Sequence, residues 1–173
     1  MRVSFIFCVL MFSACGPKGE TASVLKSDLA PQFPLNPIDE LTPGDVCESE
    51  RNRRYPERIP YCSRNVSSSK KRRVIAIYDR EYGFHVGDMN RRDFKVDHYI
   101  SLCMGGSNQI SNLWPQHRSV YELTDPLEGK LCRLMAQGKM KQADAIETLK
   151  YAKNNLEEAQ EVEDELDDML NGN

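Results

Sequence analysis

Asp97 and His98 stand side by side in the stretch FKVDHYISLCMGGSNQISNLWPQH, and His117 closes it. Two of the chain's three histidines therefore lie on this one stretch. Imidazole is the side chain that exchanges a proton near neutral pH. A carboxylate and an imidazole with open water positions make a plausible divalent metal site. A metal beside a neutral imidazole is the apparatus for phosphodiester hydrolysis: the base activates water, and the cation offsets charge on the phosphate and the leaving oxygen. Neighbours in a strand point to opposite faces, which gives Asp97 and His98 separate tasks. Asn112 lies beyond the Gly105-Gly106 turn, and antiparallel pairing would return its amide beside the His98 ring to fix the tautomer. His117, past Pro115, would approach Asp97.

These groups need a hairpin and helices to hold them. In the run 94–102, Phe94, Val96 and His98 alternate with Lys95, Asp97 and Tyr99, which predicts a strand. Met104-Gly105-Gly106-Ser107-Asn108 is turn chemistry, and Leu113 and Trp114 begin a return strand. Upstream, Ser67-Ser68-Ser69 opens a helix with Val74, Ile75, Tyr78 and Tyr82 on one face and Gly83 at its end. Downstream, Asp125-Pro126-Leu127-Glu128 reads as a helix start, with Asp125 as cap, Pro126 in the first turn and Glu128 completing a capping box. Leu127, Leu131, Leu134 and Met135 form its apolar stripe. A last helix from near Lys141 keeps its apolar period through Leu149, Ala152, Leu156, Val162 and Leu166 into the acidic C-terminus. Helix, hairpin, helix, helix is an α+β order with a small antiparallel sheet.

At Val96-Asp97-His98, Gly105-Gly106-Ser107-Asn108 and Asn112-Leu113-Trp114-Pro115-Gln116 the sequence resembles the HNH endonuclease family. The resemblance is closest to small secreted or lipoprotein domains that carry the NLWPQ stretch. It implies a ββα-metal hairpin and helix, to which the apolar periodicity adds flanking helices and a long acidic C-terminal helix. By resemblance, His98 is the general base, Asp97 a metal ligand, Asn112 the group that orients the base, and His117 the second ligand. The family commonly places its third motif residue about nine positions after the Asn, on the helix; here that position is Tyr121, and Glu122 beside it is the alternative ligand. The implied cofactor is a divalent cation, Mg²⁺ first, with Mn²⁺, Ni²⁺ and Zn²⁺ as alternatives. The implied substrate is nucleic acid, DNA ahead of RNA.

Charge agrees with such a substrate. Residues 47–154 hold 20 Lys and Arg against 13 Asp and Glu, whereas 155–173 hold eight acids and no base. A basic body suits a polyanion, and Lys70, Arg72, Arg73, Lys95 and Arg118 are the expected phosphate contacts. The N-terminus reads as an export signal over 1–14, with Arg2 before an apolar run too short to span a bilayer. Phe12-Ser13-Ala14-Cys15 resembles a bacterial lipobox, which makes Cys15 the lipidated residue. The Pro-rich stretch 15–46 is then a flexible tether from the outer membrane or cell envelope, 47–154 the nuclease domain, and 155–173 an acidic helical tail. Cys47, Cys62, Cys103 and Cys132 remain for an oxidising compartment; they allow three pairings, of which Cys47–Cys62 and Cys103–Cys132 are favoured. A monomer is expected. The competing reading is a catalytically inactive nucleic-acid-binding or envelope interaction lipoprotein.

Overall fold

The structure, a computed structural model, describes residues 32–49 and 51–172. The signal segment, Cys15 and the first half of the expected tether lie outside them. In chain order the elements are β1 (Arg53–Arg54), β2 (Ile59–Pro60), α1 (Ser68–Tyr82), β3 (Phe94–His98), β4 (Leu113–His117), α2 (Arg118–Ala136), α3 (Gln142–Asn154) and α4 (Ala159–Asn171). The strands form two antiparallel pairs, β1 with β2 and β3 with β4. The α+β class expected from the sequence holds.

Helix α1 follows its sequence signals. The Ser67 hydroxyl accepts from the Lys70 N–H at 3.2 Å, and Gly83 closes the helix at φ 70°. Val74 and Tyr78, one turn apart, are buried against Val96, Leu113 and Trp114 of the β3–β4 hairpin. On its other side the chain packs α2, α3 and α4 around Leu127, Leu131, Leu134, Leu149 and Leu166. The hairpin and the loop after it thus lie between two apolar clusters.

Strand β3 ends at His98, four residues short of the predicted limit, because the chain turns away at Tyr99. Asn112 forces that turn. Its Oδ1 accepts from the Ile100 N–H at 2.8 Å, while its amide nitrogen donates to the Ile100 and Ser107 carbonyls at 2.9 and 3.0 Å. Gly106 completes it, since a Cβ at that position would collide with the Ile100 carbonyl.

Helix α2 begins eight residues before the predicted start. His117 is its N-cap, with Nδ1 accepting from the Ser119 N–H at 3.2 Å. Buried Val120, Thr124, Leu127, Leu131 and Leu134 form one unbroken stripe through Pro126. Asp125 and Glu128 are therefore mid-helix residues, and the capping assigned to them does not hold. The last predicted helix is two helices, α3 and α4, separated by a 3₁₀ turn at Leu156–Glu158.

Two expected boundaries are corrected. Residues 32–46 are no tether: Pro34, Pro37 and Thr42 are buried, and the Thr42 hydroxyl donates to the Leu113 carbonyl at 3.1 Å. Nor is the acidic C-terminus a tail. Ala159, Val162 and Leu166 of α4 belong to the helical core, and Glu163 pairs with Lys130 of α2 at 2.9 Å.

Both favoured cysteine pairs are present, with Cα atoms 5.7 Å apart for Cys47–Cys62 and 5.9 Å for Cys103–Cys132. The second spans 29 positions, tying the loop after β3 to α2. Its reduction is expected to cost about 3 to 4 kcal/mol of stability. Thermal melts of the protein and of a Cys103→Ser/Cys132→Ser variant measure this; equal midpoints would contradict it.

Candidate active site

Asp97 and His98 occupy the last two positions of β3, and the Asp97 carboxylate turns back toward its neighbour, accepting from the His98 N–H at 2.9 Å. Lys95 and Asp97 share the face toward α2. The Lys95 ammonium lies 2.8 Å from Asp97 Oδ2 and donates to both Asp125 oxygens at 2.7 and 2.5 Å. Two carboxylates, one from the hairpin and one from α2, thus meet at a single cation. Arg64 adds a guanidinium 3.8 Å from Asp97 Oδ1.

Burial opposes the charge on Asp97, but its contacts with His98 and the Lys95 ammonium outweigh it and hold the carboxyl well below the usual range. At Asp125 burial dominates instead and raises the carboxyl above its ordinary value against the pull of Lys95. Lys95 is half-buried, which disfavours its charge, yet hydrogen bonds to Asp125 and Asp97 more than offset that and raise its affinity for the proton.

The His98 side chain is only 3% exposed. Its Nε2 lies 3.3 Å from Asn108 Oδ1 and its Nδ1 lies 3.5 Å from Asp97 Oδ1. Its carbonyl accepts from the Lys153 ammonium at 2.9 Å. That ammonium, fully buried, also donates to the Tyr99 carbonyl at 3.2 Å and to Glu128 Oε1 at 2.7 Å.

Several expected site residues stand elsewhere. Asn112 is fully buried and spends its amide on loop backbone; the amide at the His98 ring belongs to Asn108. His117 pairs in register with Phe94, whereas Asp97 pairs with Trp114. Three positions along a strand is about 10 Å. The His117 ring stacks on Phe33 at 4.0 Å and caps α2, so the hairpin does not bring it to Asp97. Glu122 is exposed, 4.0 Å from the Arg118 guanidinium. Among the described residues, no three His, Cys, Asp or Glu side chains cluster as a metal site.

The cations divide likewise. Lys70 donates to the Asn108 carbonyl at 2.7 Å, Lys95 is held between the two carboxylates, and Arg118 pairs with Asp93 at 3.2 Å. Arg72 and Arg73 are exposed on the first turns of α1.

Asp125, Asn108, Arg64 and Lys153 are the site residues that sequence reasoning missed. For Asp125 a signal existed, since Val120, Thr124 and Leu127 extend the apolar stripe upstream of Pro126. For Lys153 it was a lysine directly beside Ala152 on the apolar face of α3. No protein-family model, curated protein or solved structure matches this chain, so the chemistry of these side chains carries the functional reading.

Proposed function

We propose that the chain is a metal-dependent nuclease of the HNH type, hydrolysing phosphodiester bonds of nucleic acid, DNA ahead of RNA. The reading rests on one observation above others: Asp97 and Asp125 converge on one ammonium beside an imidazole. It includes export as a lipoprotein through Cys15, in keeping with two disulfides in the domain.

A place that draws two carboxylates around one positive charge suits a divalent cation, and its oxygen donors suit Mg²⁺ or Mn²⁺ better than Ni²⁺ or Zn²⁺. Asp97 and Asp125 would hold that cation where the Lys95 ammonium now lies. Bound there, it would offset negative charge on the phosphate and the leaving oxygen. His98 takes a proton from the attacking water through the nitrogen that Asn108 does not occupy. Arg64, half-exposed beside Asp97, contacts the phosphate. The remaining cations hold the polyanion without reading bases.

Lys95 tests the assignment of the cation's place. Lys95→Met is expected to tighten Mn²⁺ binding, measured by titration calorimetry, on the order of tenfold. Asp125→Asn is expected to weaken it. Unchanged affinity in both variants would show that the two carboxylates do not hold the ion.

The near-complete burial of the His98 ring favours a second reading, a nucleic-acid-binding lipoprotein without turnover. Metal-dependent cleavage by the intact protein separates the two.

A further inference from the structure

We propose that Asn108 is the positioning residue for His98, fixing the neutral ring with its proton on Nε2 and leaving Nδ1 as the lone pair on the Asp97 side. The argument starts from the amide, whose two ends differ in chemistry. Asn108 Oδ1 accepts from the Asn65 N–H at 3.0 Å, and Asn108 Nδ2 donates to the Ser63 carbonyl at 2.9 Å. A flipped amide would set N–H against N–H and oxygen against oxygen, so the two backbone partners decide its orientation. The atom 3.3 Å from His98 Nε2 is therefore an oxygen, which can only accept. A hydrogen on Nε2 makes this contact a hydrogen bond.

The other ring nitrogen faces a carboxylate at longer range. Asp97 Oδ1 is 3.5 Å from Nδ1, beyond an ordinary N–H···O distance, and already accepts from the His98 backbone N–H at 2.9 Å. Nδ1 is thus the nitrogen left for the attacking water of the nuclease reading. Asn108 is itself held at both ends. Its carbonyl accepts from the Lys70 ammonium at 2.7 Å, and its side-chain partners Ser63 and Asn65 follow Cys62, which is bonded to Cys47. Asn112, which sequence spacing assigned to this task, uses its amide on the loop backbone instead.

The catalytic consequence rests on the nuclease reading; the tautomer does not. The test is a long-range ¹H–¹⁵N spectrum of the oxidised full chain, labelled in histidine, at alkaline pH, where protonated and unprotonated ring nitrogens resolve. The proposal expects His98 to carry hydrogen on Nε2 and none on Nδ1. Asn108→Asp, which keeps an acceptor, should retain the Nε2 proton. Asn108→Leu should lose this preference, with kcat falling about tenfold or more and KM little changed. A wild-type spectrum with the proton on Nδ1 overturns the proposal, whatever the variants do. So does an Asn108→Leu spectrum identical to wild type. The expected spectra from a protein that cleaves no nucleic acid would uphold the tautomer and overturn the nuclease reading.

Discussion

His98→Ala is expected to lower the rate of nucleic-acid cleavage by about 10²- to 10⁴-fold, the range that general base catalysis supplies. The loss should fall on kcat. The proposed base acts on water rather than on the ion, so metal affinity and nucleic-acid affinity should stay close to wild type. Asp97→Asn should differ by losing metal affinity and activity together, because the carboxylate that now pairs with Lys95 is the proposed ligand. The two variants therefore separate base from ligand. Single-turnover cleavage alongside Mn²⁺ titration makes the comparison. Wild-type rates from a contaminant-free His98→Ala protein would remove the base from the mechanism.

Lys153→Met is expected to destabilise the fold by about 3 to 5 kcal/mol, since it breaks a buried pair and leaves a charge uncompensated. Lys153 is fully buried and satisfies three acceptors: the His98 and Tyr99 carbonyls and Glu128. Those carbonyls lie where β3 stops and the chain leaves the ladder, so no strand partner is there to replace the ammonium. The second variant, Lys153→Met with Glu128→Met, should recover part of the loss by removing the stranded carboxylate. Urea denaturation reads both. A single-variant loss below about 1 kcal/mol would show that the ammonium is replaceable. The same contact links α3 to the strand end that carries His98, so α3 bears on the site although it lends no reacting group.

Local signals carried much of the fold. The Ser67 cap, the Gly83 stop and the Val74–Tyr78 spacing defined α1 because each acts within a turn or two of its own helix. Alternation defined β3, and the Gly105-Gly106 turn marked the loop. Pro126 misled the reading of α2. Proline suits a first turn, but here the buried stripe on either side outweighs the hydrogen bond it removes. Proline misled the reading of 32–46 as well, where composition suggested a tether while Thr42 and the Pro34 and Pro37 rings are buried in the domain. The acidity of α4 concealed an apolar stripe of Ala159, Val162 and Leu166 that the periodicity had already disclosed.

At the site, Asp97 and His98 were legible because they are adjacent and their types are chemically specific. Their partners were not. Asp125, Asn108, Arg64 and Lys153 reach the site from separate segments, and only the tertiary arrangement of hairpin, loop and helices brings them together. His117 illustrates the converse. Its type and spacing suited a ligand, yet the register that pairs it with Phe94 carries it along the strand from Asp97 and into the cap of α2.

The most direct measurement is cleavage itself. The oxidised protein should be incubated with supercoiled plasmid, linear DNA and RNA, with Mg²⁺, Mn²⁺, Ni²⁺ or Zn²⁺ in turn and with a chelator. The account predicts strand scission of DNA that requires Mg²⁺ or Mn²⁺, stops on chelation and is lost in His98→Ala. Intact DNA and RNA after incubation of the folded, disulfide-bonded protein with all four metals would contradict it.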